Sequence, residues 1–181
     1  MPRSYRIFSE RHYAYFCTST IVEWLPVFVS GPYFDIIVES LKFIRANKGV
    51  QVNAFVIMPT HSHLVLWPNE GVNLSDVMRD FKRHTSKMLS AQLEKDRQWV
   101  FLRSFAKEAP GRAGAEYRVW QEGFHPEALY SADFARQKIE YLHDNPVRKR
   151  LVDLPEHWRY SSAWNYLLND DSIMEIDRLE S

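Results

Sequence analysis

Two histidines separated by a single residue, in the run His61-Ser62-His63-Leu64-Val65-Leu66-Trp67, have the spacing to share one task. If that run is a strand, side chains two apart lie on one face. Both imidazoles then point the same way, and each can offer a nitrogen to one ion. The same spacing also suits two ordinary packed or exposed histidines. Ser62, Leu64 and Leu66 fall on the opposite face.

A second group sits further along. From about Ala132 to Asp144 the apolar residues Ala135, Ile139 and Leu142 recur at helical steps and form a core-facing stripe. Phe134, Lys138, Tyr141 and Asn145 share a neighbouring sector, so Tyr141 lies off the core stripe beside a cation and an amide. A tyrosine there can simply pack its ring with the hydroxyl wet. It can also be a nucleophile, although a hydroxyl with a pKa near ~10 needs help from a metal or base at neutral pH. A divalent ion on His61 and His63 would polarise an attacked phosphate and offset its developing charge.

The remaining elements must bring these groups together. His12 to Ser19 is aromatic and roughly alternating, which suits a strand; Pro32 to Asn47 reads as a helix with Phe34, Ile37, Val38, Leu41 and Ile44 inward. Gly49 closes it, Val52 to Met58 reads as a buried strand, and Pro59-Thr60 turns into the His61 to Trp67 strand. Asn73 or Ser75 caps a long helix with Leu74, Val77, Met78, Phe81 and Met88 on its apolar side, ending near Lys95 to Gln98. From Trp99 to His125 the periodicity fails around Pro110, Gly111, Gly114 and Gly123, which predicts a loop with at most one short strand near Tyr117 to Gln121. Ser131 or Asp133 caps the Tyr141 helix, and Asn145-Pro146 is expected to stop it. Trp158 to Leu168 reads as a final helix. The order strand, helix, strand, strand, helix predicts an α+β, ferredoxin-like antiparallel sheet with helices on one side.

Composition narrows the function classes. The 181 residues suit one domain, with a core from about 8 to 150 and an extension from about 151 to 181. The single cysteine, Cys17, excludes an internal disulfide or a cysteine zinc cluster and fits a reducing cytoplasmic setting, with Cys17 as core packing. No apolar stretch follows Arg3, Arg6 and Glu10, so no signal peptide is expected, and nothing approaches a membrane span. Formal net charge is zero, so any nucleic-acid surface must be local. Arg79, Lys82, Arg83 and Lys87 form one basic stretch, and Arg136, Lys138, Arg148, Lys149 and Arg150 another. Much of the balancing acid, Asp170, Asp171, Glu175, Asp177 and Glu180, is in the tail. Either basic stretch also fits a solvated helix face. Arg103, Phe105, Trp120, Phe124 and His125 interleave charge with rings that either stack bases or pack the core.

The segments Phe55-Val56-Ile57-Met58-Pro59-Thr60-His61-Ser62-His63-Leu64, Lys82-Arg83-His84-Thr85-Ser86, Tyr141-Leu142-His143-Asp144-Asn145-Pro146-Val147 and Trp158-Arg159-Tyr160-Ser161-Ser162, in this order, carry a resemblance. The chain resembles the REP-associated tyrosine transposases, within the HUH single-strand endonucleases and single-tyrosine insertion-sequence transposases, over nearly its whole length. That pattern often has Asn at Thr60 and Gly at Arg150, departures that fall in turns and are expected to leave the chemistry untouched.

The resemblance implies that His61, His63 and Asn145 hold Mg²⁺ or Mn²⁺ and that Tyr141 is the nucleophile. It implies cleavage and rejoining of single-stranded DNA at palindromic hairpin repeats through a 5′-phosphotyrosine and a free 3′-hydroxyl; monomer and homodimer both stay open. Arg79, Lys82 and Arg83 then supply phosphate contacts, and Lys138 touches the scissile phosphate. Two other readings stay open: a non-catalytic single-stranded nucleic-acid binding module, and a metal-dependent nuclease that activates water with no covalent step.

Overall fold

A computed structural model describes residues 13–109 and 116–179. The expectations resting on Met1 to Glu10, His12, Pro110, Gly111, Gly114 and Glu180 lie outside these described residues.

In chain order the elements are β1 (Ala14–Thr20), α1 (Gly31–Asn47), β2 (Val50–Met58), β3 (His61–Pro68), α2 (Leu74–Lys95), α3 (Trp99–Lys107), β4 (Glu127–Leu129) and α4 (Ala132–Arg148). The four strands form one sheet in the order β2-β3-β1-β4, antiparallel at every pairing. This is the expected α+β, ferredoxin-like antiparallel arrangement.

Helices cover both faces of the sheet, not one. Tyr15, Cys17, Phe55, Ile57, Leu64 and Leu66 pack with α1 and α2. Ala14, Phe16, Ala54, Val56, Met58 and Val65 pack with Ala135, Ile139 and Leu142 of α4. The cause is visible in β2, where every residue except Gln51 is buried. A strand covered on one side alternates, whereas one buried twice is apolar throughout. Each aliphatic side chain that α4 sinks into this second core is worth roughly 1.5–3 kcal/mol against exposure, which is what seats the helix.

Several elements depart from expectation. Trp99 to Lys107 is a helix rather than loop, held by Leu102 and Phe105; the short strand near Tyr117 to Gln121 reduces to an isolated bridge, Ile21 with Trp120. β4 was not anticipated. Met88 is exposed and Thr85, Leu89 and Leu93 take the inner positions of α2, because its later turns rotate toward α3. Asn73 is the α2 cap, accepting from Ser75 N–H. Helix α4 runs through Pro146 to Arg148 instead of stopping at Asp144. Proline removes one hydrogen bond there, but Pro146 is buried, and the backbone continues through Lys149 N–H to the Asn145 carbonyl at 3.0 Å.

Trp158 to Ser162 is extended, and only Trp164–Leu168 makes a wide helical turn. The extended stretch pairs with the outer edge of β2, Ile57 N–H to Tyr160 O at 2.9 Å and Ser162 N–H to Phe55 O at 2.8 Å; Asp177 N–H reaches Val52 O at 2.9 Å. Arg45 grips both Asp177 carboxylate oxygens at 2.9 Å, and Ile173, Met174 and Ile176 enter the α1/α2 core. The Ser162 hydroxyl lies 2.8 Å from His143 Nε2 of α4, accepts from Phe55 N–H at 2.9 Å and donates to the Phe55 carbonyl at 3.2 Å. Among the described residues no helix is long and apolar enough to cross a membrane.

Candidate active site

The register sets the site. In β3, His63 lies opposite Thr18 of β1 and Val56 of β2, and His61 opposite Thr20 and Met58. Both histidines therefore project from the face that α4 covers. Their rings are 4.8 Å apart between centroids, and each is only 7% exposed. The Thr18 hydroxyl is 2.8 Å from His63 Nδ1, and the Thr60 hydroxyl 2.9 Å from His61 Nδ1. These contacts fix ring orientation and leave Nε2 of both rings for a ligand. Thr60 is in the expected turn, and its hydroxyl also contacts His61. Arg150 fits that expectation too: its φ of 57° is the left-handed conformation that glycine adopts most easily.

Burial keeps both imidazoles neutral. It pushes His61 down to about 4, helped by the charge of Lys149, and His63 down to about 3, helped by His61 and Lys138. Neutral imidazole is the form that binds a metal.

Helix α4 delivers the remaining groups. Its core stripe docks on the sheet, so the adjacent sector faces the histidines. The Tyr141 ring is 6.0 Å from that of His63 and 6.2 Å from Phe16, which itself stacks on His63 at 5.1 Å. Tyr141 remains 38% exposed. One turn on, Asn145 is buried and its Oδ1 has no hydrogen-bond partner among the described residues. An unpaired buried acceptor is costly unless a ligand takes it up. Two free imidazole nitrogens and an unsatisfied amide oxygen are a donor set that fits a divalent ion. Among the described residues no three His, Cys, Asp or Glu side chains gather at one point, so protein carboxylates do not complete such a site. Among the described residues, His61, His63 and Asn145 would offer three neutral donors.

Lys138 lies over the Phe16 and Phe134 rings at 5.1 and 5.4 Å and pairs with Glu127 at 2.6 Å. Glu127 opposes Phe16 in the β1–β4 pairing. The site therefore has a nearby carboxylate that sequence reasoning missed, neutralised by Lys138.

The other anticipated cations are elsewhere. Arg79, Lys82 and Arg83 are on α2, across the sheet from the histidines. Arg79 pairs with Asp76 at 2.6 Å, Arg83 with Asp80 at 3.0 Å, and Lys82 donates to the Gly123 carbonyl at 2.9 Å. Phe105 and Trp120 are core residues, Trp120 donating to Thr85 Oγ1 at 2.9 Å, so neither presents a ring to bases. Phe124 is half-buried, and Arg103 and His125 are exposed.

Residues 28–125, more than half of the chain, match the family described as "Transposase IS200 like". This chain belongs to the IS200-like transposase family. The matched stretch includes His61 and His63 and ends before Lys138, Tyr141 and Asn145. In fold the chain is similar to a REP-associated tyrosine transposase solved bound to a REP hairpin, with a TM-score of 0.69 at 17% identity over 98% of this chain and 92% of the other. A candidate transposase from Deinococcus radiodurans R1 aligns with a TM-score of 0.49 at 17% identity, over 79% of this chain and 96% of that one. No curated protein sequence matches.

Proposed function

We propose that this IS200-like transposase cleaves and rejoins single-stranded DNA at hairpin-forming repeats, with Tyr141 as nucleophile. The observation that carries the reading is the ring of a partly exposed Tyr141 lying 6.0 Å from that of His63, one of two co-facial histidines, with the unpartnered Asn145 oxygen one turn further along the same helix. The hairpin substrate is drawn from the fold relative solved with a REP hairpin.

Tyr141 Oη attacks phosphorus and forms the Oη–P bond as the P–O3′ bond breaks. The phenolic proton is lost, and a proton is gained by the departing 3′ oxygen. The products are a 5′-phosphotyrosine and a free 3′-hydroxyl; attack by another 3′-hydroxyl reverses the step and joins strands. His61, His63 and Asn145 would hold Mg²⁺ or Mn²⁺, which would supply electrophilic polarisation of the phosphate. Thr18 and Thr60 keep the rings aimed, and Lys138, exchanging Glu127 for a phosphate, adds positive charge. Arg79, Lys82 and Arg83 would serve duplex or flanking phosphates on the opposite face rather than the reacting one.

The test is incubation of labelled hairpin DNA and Mn²⁺ with wild-type and Tyr141→Phe protein. Wild type should give a denaturation-resistant adduct and the variant none, while both bind DNA. Cleavage by Tyr141→Phe at the wild-type rate would refute the mechanism and turn attention to water or to Tyr117, Tyr130, Tyr160 and Tyr166.

A further inference from the structure

The continuation of α4 through Pro146 carries Arg148 two turns past Tyr141 onto the same sector. Its guanidinium carbon sits 4.9 Å from the centroid of the Tyr141 ring. Asp144, one turn back, has the spacing to pair with Arg148. It does not: among the described residues the Arg148 side chain makes no hydrogen bond and no ion pair. The other arginines anticipated as phosphate contacts are engaged, Arg79 and Arg83 with aspartates, and Lys138 is held by Glu127. Arg148 is thus an uncommitted guanidinium lying on the ring of the nucleophile.

We propose that Arg148 holds the phosphate that Tyr141 attacks, and keeps hold of it once it is esterified to the tyrosine. This rests on the reading of Tyr141 as nucleophile. A guanidinium lying against the ring face is within a side-chain rotation of a phosphate at the phenol oxygen, and its planar fork matches two phosphate oxygens. The ring contact serves as its resting place before DNA arrives. Lysine at this position would supply the charge without the fork.

The experiment uses Tyr141→Phe protein, which keeps the ring, in EDTA so that only the protein's cations contact DNA. The probe is a self-folding hairpin with single-stranded thymidine flanks, whose cleaved linkage is mapped with wild type and Mn²⁺. Adding Arg148→Ala should weaken binding on the order of tenfold and reduce the slope of log affinity against log salt by about 0.7, one single-strand contact. A neutral methylphosphonate at the mapped linkage should weaken the Arg148 protein by the same factor and leave the Arg148→Ala protein unchanged, with Arg148→Lys between them. Arg136→Ala, an exposed cation paired with Asp133 on the same helix, should match the parent. An unchanged salt slope in Arg148→Ala, or equal methylphosphonate losses with and without Arg148, overturns the assignment. Absence of any wild-type adduct would count against the tyrosine mechanism instead, and the salt slope alone would still decide whether Arg148 holds DNA.

Discussion

Asn145→Ala should make the metal-free protein more stable while disabling it. The buried Oδ1 has no donor among the described residues, and such an orphan costs about 1–3 kcal/mol. Alanine removes it and improves helix propensity by up to ~0.7 kcal/mol. Against this stands a small void, on the order of 1 kcal/mol. The net is a gain of about 1–2 kcal/mol, or a rise of roughly 2–8 °C in Tm for a chain of this size. Thermal unfolding in EDTA measures it directly. Adding Mn²⁺ with hairpin DNA should raise the wild-type Tm and leave the variant nearly where it was, because a ligand that binds the native state through Asn145, as proposed, stabilises only the protein that keeps the oxygen. A variant that in EDTA is less stable than wild type by 1 kcal/mol or more would show that Asn145 is a structural residue with an internal partner, and the metal assignment would lose its best support.

Replacing His61 or His63 by alanine should abolish adduct formation, with partial recovery at high Mn²⁺; Tyr141→Phe should show no such recovery, and rescue of that variant by metal would reverse the roles. Thr18→Val and Thr60→Val remove the groups that fix Nδ1, so each should weaken metal-dependent cleavage about 10- to 100-fold with the fold intact, measured by Mn²⁺ titration of the cleavage rate. Acid should destabilise the metal-free protein. His61, His63 and His143 protonate near the ordinary 6.5 when unfolded, but in the folded chain only near about 4, about 3 and about 4. The unfolded state therefore binds more protons as pH falls from 6.5 toward 4, and stability drops across that window. Urea unfolding at pH 7 and pH 5 checks it, and equal midpoints would contradict the burial argument.

The co-facial pair of histidines was legible because a strand has a period of exactly two, and Lys138, Tyr141 and Asn145 because a helix repeats every 3.6 residues. That the two groups meet followed from neither period; it depends on α4 covering the second face of the sheet. The apolar run Ala54 to Met58 of β2 carried that information, since a strand with one face in water would alternate. Helix α3 was hidden because its nine residues bury only Leu102 and Phe105. The proline rule failed at Pro146 because tertiary burial outweighed one lost hydrogen bond, and with it went the position of Arg148. Glu127 had no local signal at all: it reaches Lys138 through β4, a three-residue strand whose pairing with Phe16 is purely tertiary.

The Ser162 hydroxyl, bonded at once to His143 of α4 and to both backbone groups of Phe55 in β2, fastens the helix of the nucleophile to its own chain. Within one chain that hydroxyl and the buried imidazole serve each other without a second molecule. In the single chain the Tyr141 ring already lies 6.0 Å from that of its own His63. On a mechanism carried out within one chain, mixing Tyr141→Phe with His63→Ala protein should yield no more cleavage than either alone, and cleavage restored by mixing would show that copies exchange α4.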